Sequence, residues 1–349
     1  MNQKFRIGVA GIGMVGTPLK RYFEERRGYR RGEDLFVYDT DPKKDYFDDV
    51  NRADIIFVCV PTPRTPDGSA DISAVESVFS KIAGEKILVL KSTVPPGTTE
   101  ALQKKYPQHK ILFNPEFLTE KNAWEDFVKP DRQIVGFTRE SMDASLAVLS
   151  LLPKAPFMSP WGINTFRRTK ITATEAEIIK YGGNVHFARK VNFANALAIL
   201  AQAHGVDYEN IRLGLAADFR MGDSHLDVNH GGYRGFGGYC FPKDTDALIS
   251  HFAAMGLSDC ADLLRGDWKF NENLLADQGL SIEDVSVHDH EWIKKKLESS
   301  HGLGSPASED RSKSAPEATR IMNQELGELV DTQNTSKEMN PEVTYSLNS

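Results

Sequence analysis

Phe5-Arg6-Ile7-Gly8-Val9-Ala10-Gly11-Ile12-Gly13-Met14-Val15-Gly16 decides how the rest of the chain is read. The apolar run 5–10 predicts a strand, the glycines a tight turn, and the segment to Phe23 a helix. Each glycine has its own reason. Gly11 permits the turn, Gly13 lets a pyrophosphate reach the backbone, with Met14 and Val15 beside it, and Gly16 lets the helix lie close to the strand. The helix amino end then faces the phosphates. A second apolar run, 35–38, ends on Asp39, an acid that can accept hydrogen bonds from a ribose diol and would repel a 2′-phosphate, which favours NAD. The spacing to Asp39 exceeds the usual ~20 residues, and the charged insertion 26–33 accounts for the difference.

Outward from this unit, 55–60, 87–90, 111–113 and 133–137 read as further buried strands, separated by helical intervals such as 72–82 and 98–105. The alternation predicts an α/β, Rossmann-like doubly wound parallel sheet over residues 1–160. Two of the strands run into proline-marked turns, Pro61-Thr62-Pro63 and Ser92-Thr93-Val94-Pro95-Pro96-Gly97. Ligands in such sheets sit at the carboxyl ends of the strands, so Thr62 and Thr93 either face the cofactor or are plain turn residues. In Asn114-Pro115-Glu116-Phe117-Leu118-Thr119-Glu120 the acids Glu116 and Glu120 are four apart. That spacing predicts one side of a helical turn, equally suited to a site or to a solvated face.

After Pro160 the pattern changes, and 161–278 reads as an all-α central domain. Residues 172–204 contain no proline and predict a single helix of roughly 50 Å. Lys180 and Asn184 share one of its faces, beside Gly182 and Gly183, which imply a close-approaching ligand or a packing contact. A helix this long suits a subunit interface and suggests a homodimer. A second helix follows at 208–217, then a polar loop, then Gly235-Phe236-Gly237-Gly238-Tyr239-Cys240-Phe241-Pro242-Lys243-Asp244. Here a thiol lies between flexible glycines and a lysine whose charge could favour the thiolate; the plainer reading is a tight turn holding a small buried cysteine. Helices are expected at 245–255 and 263–275. Beyond 278 the chain reads as a polar, partly disordered tail, linker-like at 299–316 and 331–349. Short apolar clusters around Trp292, Ile293 and Leu297, and around Ile321, Leu326, Leu329 and Val330, could form short helices.

A chain of 349 residues is long enough for two domains, and its composition, 40% hydrophobic and 26% charged, is that of a globular protein. The net charge of −7 argues against general nucleic-acid binding. Three cysteines, far apart and odd in number, give no disulfide framework and no metal spacing. No run is long enough to span a bilayer and no signal peptide is evident, so a cytoplasmic location is expected.

These motifs together resemble the UDP-glucose/GDP-mannose dehydrogenase family, over roughly residues 4–273. The residues that carry the resemblance are the Gly11 to Gly16 fingerprint, Asp39-x-Asp41-x-x-Lys44, Cys59-Val60-Pro61-Thr62-Pro63, Ser92 to Gly97, Asn114 to Glu120, Lys180-x-x-x-Asn184, Asp218-x-Arg220-x-Gly222 and Gly235 to Asp244. The Asn-Pro-Glu-Phe-Leu wording is similar to the glucose and mannose branches. The resemblance implies oxidation of the C6 alcohol of a nucleotide sugar, UDP-glucose favoured, to a carboxylate with two NAD. Cys240 would be the nucleophile, carrying thiohemiacetal and thioester intermediates. Lys180 and Asn184 would stabilise the oxyanion, Asp244 with Thr93 would organise water, and Glu120 would serve acid–base steps in a dry site.

Substrate contacts implied by the family are Glu116, Phe117, Leu118, Lys180, Asn184, Arg220 reaching the neighbouring subunit, Tyr233, Phe236 and Gly237. Cofactor contacts would be Gly11, Gly13, Met14, Val15, Gly16, Asp39, Lys44, Pro61, Thr62, Thr93, Glu120 and Lys243; no metal is implied. Three departures accompany the match. Nothing after Gln278 resembles the family's third, nucleoside-diphosphate-binding domain, the loop from Arg220 to Gly235 is long, and Asn195-Ala196 stands where the family often has Asn-Glu. Two other readings remain: a truncated, inactive or auxiliary NAD-binding relative that acts as a dimerisation partner, and a simpler hydroxy-acid dehydrogenase, against which Cys240 argues.

Overall fold

The structure, a computed structural model, describes residues 4–160, 170–287 and 293. Its first part is a parallel sheet. β1 (Ile7–Ala10), β2 (Leu35–Tyr38), β3 (Ile55–Val58), β4 (Ile87–Leu90) and β5 (Lys110–Phe113) lie in the order β2-β1-β3-β4-β5, all parallel. The strands are almost wholly apolar because helices cover both faces. Alternate residues feed two cores. Ile7, Val9, Ile55 and Phe57 face one side with Leu19 and Phe23 of α1 (Gly16–Arg27), while Ile56, Val58, Leu88 and Leu90 face the other with Val75 and Phe79 of α2 (Ser73–Lys81) and Leu102 of α3 (Thr98–Lys105).

The expected strand 133–137 is two strands. β6 (Arg132–Ile134) pairs in parallel with β8 (Phe157–Ser159), whereas β7 (Gly136–Phe137) runs antiparallel to β5 at the sheet edge. The reason lies in α6 (Ala173–His204): a Cβ at Gly136 would stand 2.7 Å from Ala176 Cβ and from Thr172 O, so the helix start presses directly on β7. Helices α4 (Ala123–Val128) and α5 (Ser145–Leu151) complete this part.

The long helix begins with a reciprocal capping box between Thr172 and Glu175 and ends at Gly205 in the left-handed region, as its sequence predicts. After α7 (Tyr208–Ala216), α8 (Cys240–Ala254) and α9 (Ser258–Ala276) pack against it. α8 starts five residues earlier than expected, so Cys240 is its first residue rather than part of a loop. The packed structure also continues past 278, a correction to the polar tail. Leu280, with Ile282 and Val285 of α10 (Ile282–Val285), and Ile293 bury against Tyr233 and Leu275. The expectations for Trp292, Leu297, Ile321, Leu326, Leu329 and Val330, and for 299–316 and 331–349, lie outside the described residues.

Candidate active site

The strand order reverses between β1 and β3, and a ligand crevice opens there, at the carboxyl ends of the strands. The fingerprint loop fills one wall. A Cβ at Gly11 (φ +92°) would lie 2.6 Å from Cys59 O, and one at Gly16 would lie 1.9 Å from Gly11 O, so both glycines are required by backbone packing. Gly13 has nothing within 4 Å and is exposed, which leaves its backbone open to a pyrophosphate. Asp39 Oδ2 accepts from Ile12 N at 2.6 Å and from Lys44 Nζ at 3.1 Å, and Oδ1 accepts from Asp41 N at 2.9 Å. Burial raises its pKa, but these donors outweigh it and hold the carboxyl below the usual range. Asp39 therefore braces the loop as well as offering its remaining lone pairs to a diol. Thr62 Oγ1 donates to Thr93 O at 2.7 Å, tying the turn after β3 to the turn after β4. Pro61 is exposed beside it, and Met14 and Val15 are half-buried. These residues fit a dinucleotide: Gly13 with Met14 and Val15 for the pyrophosphate, Asp39 and Lys44 for the ribose, and Pro61, Thr62 and Thr93 along the crevice.

A second centre forms where α6 meets α8 and the segment after β5. Lys180 Nζ donates to Glu116 Oε1 at 2.7 Å, with both side chains almost fully buried. One turn on, Asn184 Nδ2 donates to Asp244 Oδ2 at 2.5 Å, and Lys243 pairs with Asp244 Oδ1. Cys240 and Asp244 are four apart on α8, so they share a face. Lys243 does favour the thiolate, as expected, but it is outweighed. Burial, with Asp244 adding to it, pushes the Cys240 thiol up to about 12 against Lys180; Glu116 raises it further and Lys243 opposes only weakly. Lys180 keeps its charge: burial lowers its pKa, yet Glu116, Asp244 and Cys240 together raise it above the ordinary value.

Other expectations also need correction. Residues 114–119 are not helical; Glu116 points inward to Lys180 while Glu120 is exposed, so the two acids are not on one side and Glu120 lacks the dry surroundings expected for it. Gly235 and Gly237 approach protein, whereas Gly238 has nothing within 4 Å. A Cβ at Gly235 would meet Asn271 Oδ1 at 2.7 Å, and one at Gly237 would meet the Tyr233 hydroxyl at 2.1 Å and Val285 Cβ at 2.8 Å. Phe236 is buried, its backbone held by Asn271 through bonds of 2.8 and 3.0 Å. On α6, Gly182 faces open space and Gly183 faces the Arg132 guanidinium. Leu118 donates its N–H to Glu116 Oε2 at 2.8 Å, and Phe117 is half-buried. Arg220, expected to reach a neighbouring subunit, is exposed and paired with Asp218 at 2.6 Å. Asn195 accepts from Arg234 Nε at 2.9 Å, so the residue at the divergent Asn195-Ala196 step anchors the long loop.

Sequence reasoning missed two buried ions. Lys91 Nζ donates to Asn114 Oδ1 at 2.7 Å, and burial pushes this ammonium down to about 8. A lysine directly after the apolar strand 87–90 was the available signal. Glu177 accepts from Gly97 N at 2.6 Å, Thr99 N at 2.8 Å and Thr99 Oγ1 at 2.6 Å, capping α3 and fixing the Thr93 turn one helical turn from Lys180. Burial pushes its carboxyl up to about 7. Among the described residues, no cluster could hold a metal ion and no helix is long and apolar enough to cross a membrane.

Residues 39–150 match the NAD binding domain of the UDP-glucose/GDP-mannose dehydrogenase family, and residues 174–273 match its central domain. A UDP-glucose 6-dehydrogenase of Pseudomonas aeruginosa is 37% identical over 211 residues, 56% of this chain and 44% of that protein. One from Rickettsia bellii is 32% identical over 242 residues, 67% of this chain and 51% of that protein. The chain thus spans about half the length of these curated relatives. The solved structure of a UDP-glucose dehydrogenase from Pyrobaculum islandicum aligns with a TM-score of 0.64 at 30% identity, over 78% of this chain and 68% of that one.

Proposed function

Because this chain belongs to the UDP-glucose/GDP-mannose dehydrogenase family, we propose that it oxidises the C6 alcohol of a nucleotide sugar to the carboxylate, UDP-glucose being the favoured substrate. Its first part is the family's NAD-binding domain and NAD is its cofactor. When bound, NAD accepts hydride from the substrate carbon. The observation that carries the reading is the buried array around Cys240: Glu116 on Lys180 at 2.7 Å and Asn184 on Asp244 at 2.5 Å.

In that array the Lys180 ammonium and the Asn184 amide stabilise negative charge on the C6 oxygen. Cys240 rests as a thiol, so addition of Sγ to a C6 aldehyde must be accompanied by loss of its proton. Asp244, four residues on along the same face of α8, is the carboxylate that bears most on the thiol. The C–S bond then keeps the carbon in the site through thiohemiacetal and thioester, until water, aligned by Asp244 and Thr93, displaces Sγ as the acid leaves. Glu120 lies on the exposed side of the same segment.

The partner is a second copy of this chain. Ile178, Phe193, Leu200 and Leu213 leave apolar surface exposed on α6 and α7, and the exposed Phe219 and Arg220 would be free to meet a neighbouring copy. Free thiols at Cys59, Cys240 and Cys260 suit a cytoplasmic location. Purified protein given NAD and UDP-glucose is expected to yield two NADH per sugar, and Cys240→Ser to stall it. No turnover with UDP-glucose, GDP-mannose or UDP-N-acetylhexosamines overturns the reading.

A further inference from the structure

The chain reaches Cys240 through a segment with little stiffness of its own, since Gly235 (φ +108°) and Gly238 (φ +72°) both lie in the left-handed region. A nucleophile at the first residue of a helix needs its backbone held to within about 0.5 Å to meet one carbon reproducibly. Here the hold comes from outside the segment. Arg234 N donates to Gln278 Oε1, and Gln278 Nε2 donates back to Arg234 O, both at 2.8 Å. Phe236 exchanges the same pair of bonds with the Asn271 amide, and Gly238 N donates to Val285 O at 2.8 Å. Alternate residues 234, 236 and 238 are therefore bonded in the manner of a ladder, with two side-chain amides and one carbonyl in place of a partner strand.

Two of these three anchors, Gln278 and Val285, follow residue 273, where the match to the family's central domain ends. The segment that carries them has its own local support. Ser281 and Asp284 form a reciprocal capping box, and Leu280, Ile282 and Val285 bury against Tyr233 and Leu275. It is also tied to the dinucleotide crevice. Arg64, next to the Pro61-Thr62-Pro63 turn, pairs with Asp246 of α8, lies 3.6 Å from Glu283 Oε1 and has its guanidinium 5.4 Å from the Trp268 ring centroid. We propose that residues 278–285 are a strap that places Cys240, with Gln278 and Val285 as positioning residues that act through the backbone of 234–238. This rests on the reading of Cys240 as the nucleophile of a dehydrogenase. When the strap is loosened the glycines regain their freedom and Sγ is no longer held beside Lys180 and Asp244. The burial that pushes the thiol up to about 12 is then relieved.

The test uses the full chain, alkylated with iodoacetamide at pH 8 and read at each cysteine by peptide mass spectrometry. Cys59, buried in the sheet, is the internal control, because loss of the fold would open it as well. Gln278→Ala is expected to raise the Cys240 rate about tenfold with Cys59 unchanged, since each unit by which the thiol pKa falls gives about ten times more thiolate. With NAD and UDP-glucose, kcat should fall at least tenfold while KM for NAD changes less than about threefold. Gln278→Glu keeps the acceptor for Arg234 N and gives up the donation to Arg234 O. It should lie between the two, and serves in place of Gln278→Ala if that variant does not fold. An unchanged Cys240 rate overturns the proposal, as does a rise at Cys59 that matches the rise at Cys240, which marks a merely structural residue. Faster alkylation of Cys240 alone, in a protein whose wild type turns over no nucleotide sugar, would sustain the strap and remove the proposed activity.

Discussion

In the crevice between β1 and β3 the atoms that select a ligand belong to the backbone: Gly11 against Cys59 O, Gly16 against Gly11 O, and Gly13 left open. Around Cys240 they are side chains drawn from the segment after β5, α6 and α8, the bonded pair Glu116 and Lys180 being 64 residues apart. The first centre is stable because shapes exclude alternatives. The second is held by mutual neutralisation of charges that would each be costly alone, and so it should fail differently when altered.

The largest difference is expected from Lys180→Met, which leaves Glu116 buried without its counter-ion. Stability should fall by about 3–5 kcal/mol, read by denaturant unfolding, unless Glu116 becomes protonated; a change below ~1 kcal/mol would show the pair is not buried in solution. Next comes Glu177, whose carboxyl has a pKa of about 7 against an ordinary 4.5. The folded state therefore binds the proton more tightly than the unfolded chain, so ionisation opposes folding. This contribution is favourable at low pH and is lost as pH rises from 4.5 through about 7, amounting to roughly 3 kcal/mol. Glu177→Gln should flatten that part of the stability–pH curve; an unaltered slope would refute the assignment. The smallest effect on stability belongs to the crevice. Gly13→Ala meets no protein atom within 4 Å, so unfolding should shift by less than about 0.5 kcal/mol while NAD affinity falls at least tenfold. If stability and affinity fall together, the loop is not the open cradle described.

Legibility followed the same division. Local patterns marked β1 to β5, both ends of the long helix and the order of the motifs, since a buried parallel strand or a capped helix is specified by residues next to one another. The split of 133–137 was hidden because it depends on α6 pressing on Gly136, a contact made across 40 residues. The start of α8 was missed because glycines before Cys240 suggest a loop, although Asn271 and Val285 are what Gly235 and Gly237 approach. Tyr233 and Phe236 were marked as substrate contacts, and both are buried in protein packing.

By itself the sequence determined a dinucleotide crevice, a long central helix, a thiol and the residue types needed around it. Spacing along one chain is enough to place groups on a shared strand end or helix face. Only the tertiary structure decided which charges are neutralised. It gave Glu116 to Lys180, set Asp244 between Asn184 and Lys243, and kept Cys240 protonated. Burial and partner geometry set the energy of an ionised group, and neither is a property of its neighbours in sequence.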